Sequence, residues 1–423
     1  MSSSFLLRDH RTYAPEQDLM FLAGAPAVYH CHHFNLFLDQ TIDDALGPTE
    51  GFALRASAAH EFALDLLTEA VLRVDAYTPA ERIQVAQQIF RSMGHGLLTP
   101  GLTATGGASQ GAFTHYGFTW KEKYGTRVRR RHPVDAVAAG FLSAMTEVAY
   151  GLPRGIMTTV ETACVALKND HCAFETAPAA QLASFGPSVG TEQHLATRYP
   201  PQKGLFEEKI TAITAGLRDF TAGVSGDERG LVQAFGVFVT MHLAGYYNRI
   251  SYDAVKAIEK RAPSFVPDVE SLLRESGHVC VFNTFGGILL SPEWEGMVGA
   301  PGEDCSDIIL GCTAIARALG FGHWYVEEYV PQKRLVVRAT STYEAGYYRT
   351  RHGQPSRPQE YFFQGAVLAF AQLAHRVPWS KKPRLTQEFY DALFKGKLPY
   401  TIEQTRSLQL GDPFSEVVVT AKT

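Results

Sequence analysis

Thr159 to Glu175 reads TVETACVALKNDHCAFE and sets Glu161, Cys164 and Cys172 in the spacing Glu-x2-Cys-x7-Cys, three potential metal ligands within twelve residues. The run fits a strand, a tight polar turn at Lys168-Asn169-Asp170 and a second strand, which brings both thiols to the same hairpin end. Two thiolates and a carboxylate make a zinc-like set with one ligand missing. Two buried free cysteines on a hairpin would meet the same pattern, so the surroundings have to decide.

Those surroundings resemble the 4-vinyl reductase domain, a small α/β module of predicted hydrocarbon-binding proteins, photosynthetic-pigment biosynthesis factors and the sensor regions of phenol-responsive bacterial activators. In that family the last strands read roughly Glu-x2-Cys-x3-Gly-Asp-x2-Cys-x-Phe. Glu161, Cys164, Asp170, Cys172 and Phe174 match, and Asn169 stands where Gly is usual. The resemblance implies a zinc site. In the phenol sensors the metal takes a further Cys about two dozen residues upstream, and the matching stretch, Asp135 to Gly140, has none. The fourth partner is then His132, His171, water, or no metal at all.

The pattern recurs near the C-terminus. TIEQTRSLQLGDPFSEV (401–417) lies on TVETACVALKNDHCAFE without a gap, with Glu403 on Glu161, Arg406 on Cys164, Gly411-Asp412 on Asn169-Asp170 and Phe414 on Cys172. Gly320-Phe-Gly322-His-Trp-Tyr-Val-Glu-Glu followed by LVVRATSTYEA resembles the family's central Gly-x-Gly strand, next strand and Ser-x-x-Glu/Ala segment. Gly94-His-Gly96 holds the equivalent place in the first copy. Further pairs are Phe34-Asn35 with Phe282-Asn283, Gly117 with Gly346, Pro133 with Pro358 and Gly140 with Gly365. The expected fold is therefore α+β or α/β, two divergent copies of a small antiparallel-sheet-plus-helices domain joined by a helical segment.

At 423 residues the chain suits two to three domains. Its 45% apolar and 19% charged content is that of an ordinary globular protein. A net charge of −4 gives no footprint for nucleic acid, and the basic run Arg127 to Arg131 reads as a solvated turn. No stretch is apolar enough to span a membrane, and MSSSFLLRDHRTY lacks a signal-peptide core, so a cytoplasmic location is expected. Six cysteines in so long a chain argue for reduced thiols or metal ligands over a disulfide framework.

The expected division is a lead-in (1–28), a first 4-vinyl-reductase-like domain (29–177), a linker and helical bridging segment (178–276) and a second domain lacking the cysteines (277–423). Tyr29 to Leu38 reads as a strand, Ala56 to Leu72 as an amphipathic helix, and Thr78-Pro79 as the cap of a helix through Met93. The Gly-rich stretch Gly94 to Gly117 suits a β-ribbon, with Gly106-Gly107 marking a turn or a bulge, and Pro133 to Tyr150 an Ala-rich helix. From Leu205 to Ala262 a helical layer is expected, because Phe235, Phe238, Val239, His242, Leu243 and Tyr246 recur at helical spacing. A shortened helix (Cys305 to Leu319) and an extra segment (Pro378 to Lys397) belong to the second copy.

His30-Cys31-His32-His33 is the remaining chemical signal. Strand alternation would put His30 and His32 on one face, where they could hold a second metal or act as acid and base, with His95 or His115 joining them. Histidines packed beside Phe34 and Phe37 would account for the same residues structurally. In the second copy, His278 and Cys280 fall on His30 and His32.

No phosphate loop, dinucleotide fingerprint, nucleophile elbow or His-Glu-x-x-His is found. Two functions compete. One is a zinc-containing protein that binds a small apolar or aromatic molecule in a buried pocket, in the service of small-molecule biosynthesis. Phe118, Trp120, Trp324, Tyr347 and Tyr348 are expected near the pockets. The other is a metal- or histidine-dependent enzyme of specialised metabolism using His30, His32, His95 and His115. A ligand sensor acting through a partner and a structural assembly protein, by distant similarity to vesicle-tethering subunits, rank behind these two. A homodimer is compatible with each.

Overall fold

The computed structural model describes residues 5–125, 130–186, 199–302, 304–394 and 399–422, so much of the basic run 127–131 and parts of the segments 178–201 and 378–397 lie outside the described residues. Counting helices of ten residues or more, strands β1 (Arg11–Ala14), β2 (Leu19–Leu22) and β3 (Ala25–Cys31) lead into α1 (His32–Leu46), α2 (Pro48–Arg73) and α3 (Pro79–Ser92). The ribbon β4 (Gly96–Thr103) and β5 (Gly106–Thr114) comes next, then α4 (His115–Tyr124), α5 (Ala136–Tyr150), β6 (Met157–Ala163) and β7 (Cys172–Pro178). After α6 (Glu207–Ala222) the series restarts with β8 (Val232–Ala234), β9 (Val237–Leu243), α7 (Ala244–Arg261), α8 (Val266–Cys280) and α9 (Cys305–Ala318). It continues through β10 (Trp324–Val330), β11 (Arg334–Ala339), α10 (Tyr343–His352), α11 (Tyr361–Arg376), β12 (Tyr400–Arg406) and β13 (Ser415–Ala421).

Two four-stranded antiparallel sheets result, ordered β4-β5-β7-β6 and β10-β11-β13-β12, the same topology twice. Between them lies a five-stranded sheet, β1-β2-β3-β9-β8, to which both repeats contribute. At its centre β3 and β9 run antiparallel, and the pairs Val28 with His242 and His30 with Thr240 are images of one another about a local two-fold axis. The fold is thus α+β, with an internal duplication.

Local chemistry explains the elements. Thr78 closes a capping box with Glu81 ahead of Pro79, and Asp135 caps α5 through Ala138 N–H. Gly140 lets α5 cross α2: a Cβ there would meet the Ala56 carbonyl at 2.3 Å. Gly365 does the same on α11, where a Cβ would lie 1.8 Å from the Arg274 carbonyl.

Several expectations are corrected. The strand Tyr29 to Leu38 ends at Cys31, and His32 opens α1, because Phe34, Leu38 and Ile42 recur every four residues and form the buried face of a helix. His30 and His32 therefore do not share a strand face. The stretch Leu205 to Ala262 is interrupted by β8 and β9, joined by a two-residue turn in which Phe235 and Gly236 both have positive φ. All seven residues of β9 are buried, as in a strand covered on both faces. The second repeat takes in β8, β9, α7 and part of α8, elements that a division at residue 277 assigns to a bridging segment. His278 and Cys280 lie in α8, so the strand residue equivalent to His30 is His242; Phe282-Asn283 likewise lies beyond α8 and does not match Phe34-Asn35 at the head of α1.

Candidate metal centre

Glu161 and Gln404 each sit just before a bulge and pair with Phe174 and Val417, the residues two past Cys172 and Ser415. The repeats therefore align as Glu161 with Gln404, Cys164 with Ser407 and Cys172 with Ser415, not with Glu403, Arg406 and Phe414. A slip of one residue flips every side chain to the other face, and Glu403 and Arg406 point away from the buried side that Glu161 and Cys164 occupy.

Cys164 is held at the end of β6 by its neighbours. Its N–H donates to Asn169 Oδ1 at 3.1 Å, its carbonyl accepts from Leu167 and Asn169 N–H, and Lys168 turns the chain in the left-handed region. Cys172 Sγ accepts from Val165 N–H at 3.5 Å and lies 3.5 Å from Thr114 Oγ1. Gly117 leaves room for it: a Cβ there would stand 2.9 Å from that sulfur. The ligand atoms of Glu161, Cys164 and Cys172 all lie within 4.8 Å of one another, and all three residues are buried.

Asp135, at the head of α5, is the residue that sequence reasoning missed. Its N–H donates to Glu161 Oε2 at 2.7 Å and its Oδ1 caps the helix. Asp135 Oδ2 and Glu161 Oε1 are buried with no hydrogen-bond partner. His132 is exposed and His171 half-buried, and neither joins the three-residue cluster; Asp135 lies beside it, bonded to Glu161, with its own ligand atoms farther off than the 4.8 Å that spans the three. Burial, then the Cys164 thiol and the Asp135 carboxyl, pushes the Glu161 carboxyl well above its ordinary range. Burial raises Asp135 to about 6, whereas Cys164, hydrogen-bonded to Cys172, is lowered to about 7.

The second repeat holds the same geometry with different chemistry. Glu360, the N-cap of α11, takes the place of Asp135. Its Oε2 accepts from Ser407 Oγ at 2.7 Å, Ser415 Oγ at 2.6 Å and Gln404 Nε2 at 2.6 Å, and its Oε1 from Thr342 Oγ1 at 2.7 Å. One carboxylate is surrounded by donors. In the first repeat two carboxyls and two thiols face one another with the Thr114 hydroxyl beside them and no counterpart of the two serines and the glutamine amide, a set that a divalent cation would complete.

His30, His32, His95 and His115 are buried. His30 stacks on Phe34 at 3.8 Å and places Nδ1 3.4 Å from Cys280 Sγ, and His32 Nδ1 accepts from Phe238 N–H at 3.2 Å. His95 and His115 lie elsewhere, at the base of the β4–β5 ribbon, with His95 beside His242. Burial lowers His95 to about 3 and holds His30, His32, His115 and His242 well below the usual imidazole range.

The five aromatic residues expected at the pockets are not brought together. Phe118 packs on Phe113 and Phe238, and Trp120 lies under Arg130 at 4.6 Å. Trp324 is buried against Phe363, and Tyr347 and Tyr348 surround Tyr252. A groove of about 950 Å³ does run beside the metal hairpin, but Lys121, Arg130, Arg131 and the turn Lys168–Asp170 line it, and none of the five aromatics does.

Among the described residues no helix is long and apolar enough to cross a membrane. No family model matches the sequence, and no curated protein matches it. Among solved structures the chain is similar to the phenol-responsive sensory domain of the transcription activator PoxR, determined with phenol, at 16% identity and a TM-score of 0.34, over 41% of this chain and 86% of that one.

Proposed function

We propose that the first repeat is clasped by a divalent, zinc-like cation on Glu161, Cys164 and Cys172, with Asp135 as the fourth ligand, and that the clasp supports a module binding a small apolar or aromatic molecule in small-molecule biosynthesis. The observation that carries the metal is the exchange between repeats. Where the second copy pairs one carboxylate with three hydroxyls and an amide, the first presents acidic groups with two buried oxygens unpartnered. A buried, unpaired acceptor costs about 1–3 kcal/mol, and a cation removes that cost for both oxygens at once. The ligand half of the reading is supported by the resemblance of the hairpin and of the Gly-x-Gly strand to 4-vinyl reductase domains. Elemental analysis of the purified chain tests the metal: zinc lost on Cys164→Ser with Cys172→Ser supports the clasp. Wild-type protein free of metal, with a melting temperature indifferent to chelator, sinks it. Native mass spectrometry for a co-purified small molecule tests the ligand.

The enzyme reading keeps one observation of its own. His95, His115 and His242 carry ring nitrogens that are buried and unpartnered, the state in which imidazole serves as ligand or base.

A further inference from the structure

His95 and His115 face each other as the next pair of the β4–β5 ladder, with His115 N–H donating to the His95 carbonyl at 2.8 Å. Directly opposed positions put two side chains on one face with Cβ atoms about 5 Å apart. The ring of His242, delivered by β9 of the other repeat, stands edge-on to His95 at 4.8 Å. His95 Nδ1, His115 Nδ1 and both nitrogens of His242 have no partner, and all three residues are at most 3% exposed.

The other nitrogens of His95 and His115 are anchored as ligands of a metal usually are, to a backbone group and to an amide. His95 bonds the Met241 backbone. Asn35 Nδ2 lies 3.0 Å from His115 Nε2 and donates to Thr240 Oγ1 (3.0 Å), while Asn35 Oδ1 accepts from the Tyr247 hydroxyl (2.6 Å), an orientation in which Nε2 accepts and which an amide flip reverses. With the amide oxygen turned to Nε2–H, His115 Nδ1 presents a lone pair, and the Thr240 and Tyr247 hydroxyls satisfy either orientation.

The second repeat shows what the fold itself requires here. Phe321 and Tyr343 occupy the positions of His95 and His115, with Tyr343 N–H donating to the Phe321 carbonyl at 3.2 Å, and His30 stands 4.9 Å from Phe321. Phenylalanine and tyrosine fill the space of two imidazoles, and the one unpaired ring nitrogen left beside them is His30 Nε2. The first repeat differs here in holding three histidines with unpaired nitrogens where the second holds one, and filling the space does not require the other two. Neutral imidazoles converging without a carboxylate match a transition metal better than calcium or magnesium.

We propose that His95, His115 and His242 form a second site, for a divalent transition-metal ion, built across the two repeats. Their nitrogens stand wider apart than the ligand atoms of the Glu161 cluster, so binding draws the rings together by side-chain rotation. The site deepens the enzyme reading and does not depend on the thiolate clasp.

Metal-free full-length protein titrated with cobalt(II), followed by absorption and elemental analysis, tests it. About two equivalents are expected, one with a thiolate-to-cobalt charge-transfer band and one without. His95→Phe with His115→Tyr, which installs the second repeat's own residues, should bind one and keep the thiolate band. Two equivalents retained in that variant, or a wild type that binds only the thiolate-ligated ion, overturns the proposal. If the double variant fails to fold by circular dichroism, His242→Phe is judged by the same criterion. A wild type with the band-free ion and no thiolate band supports this site and counts against the clasp.

Discussion

Asp135, Glu161, Cys164 and Cys172 on one side, and Glu360, Gln404, Ser407 and Ser415 on the other, hold equivalent places at the junction of a helix N-terminus and a hairpin. Serine for cysteine and glutamine for glutamate change few atoms but replace potential anionic ligands with hydrogen-bond donors. The acid at the helix cap is then either the hub of a hydrogen-bond cluster or one of several groups competing for a cation. Asp135→Asn keeps the shape and removes the charge. It is expected to weaken metal binding by about ten-fold or more, measured by competition with a chromophoric chelator. Unchanged affinity would remove Asp135 from the ligand set. Glu161, Cys164 and Cys172 are legible in the sequence because all three lie in one short run. Asp135 is not, because it reaches the cluster from the head of α5, 26 residues before Glu161 in the chain. The gapless alignment of the repeats slips by one residue because Glu403 and Gly411-Asp412 match Glu161 and Asn169-Asp170 in type, whereas the strand pairing sets Gln404 and two serines on the glutamate and the cysteines.

Among the elements, the helix crossings are the most constrained. Gly140 and Gly365 sit where α5 meets α2 and α11 meets α8, against backbone carbonyls that cannot swing away as a side chain would. Gly140→Ala and Gly365→Ala are each expected to lower stability by about 1–3 kcal/mol, measured by urea denaturation; a neutral result would mean that the helices can part at no cost. The sequence pairs these two glycines correctly, and it marks the capped helix at Thr78 and the ribbon from Gly94. It does not mark β9: residues Val237 to Leu243 are buried throughout, and a fully buried strand carries no alternation to separate it from a helix. Read as part of a helix, His242 passes for a core position and the second repeat loses its first elements.

Across the whole molecule, the repeats share one central sheet and bury histidines on both sides of it. His278 in α8 is held between Gln372 and Tyr390, and burial lowers it to about 4. Above pH 6.5 it is neutral folded or unfolded and contributes nothing to the pH dependence. Below that value the unfolded chain takes the proton first, so stability falls with pH until the folded residue titrates near 4. At pH 5 the loss from this one residue is about 2 kcal/mol. Since raised carboxyls such as Glu344, at about 8, push the other way, the difference between wild type and His278→Gln is what matters. Wild type should lose about 2 kcal/mol relative to the variant between pH 7 and 5, followed by denaturant titration at each pH; parallel curves would show that His278 titrates in the fold as it does in the unfolded chain.

The proposed metal closes one repeat where hydrogen bonds close the other. Its most direct test is the metal content and chelator sensitivity of a chain carrying Asp135→Glu, Glu161→Gln, Cys164→Ser and Cys172→Ser, which gives the first repeat the donor set of the second. The account predicts a folded protein that has lost about one equivalent of metal relative to wild type and whose melting temperature no longer responds to chelator. Equal metal content in the two proteins, or a wild type already indifferent to chelator, would contradict it.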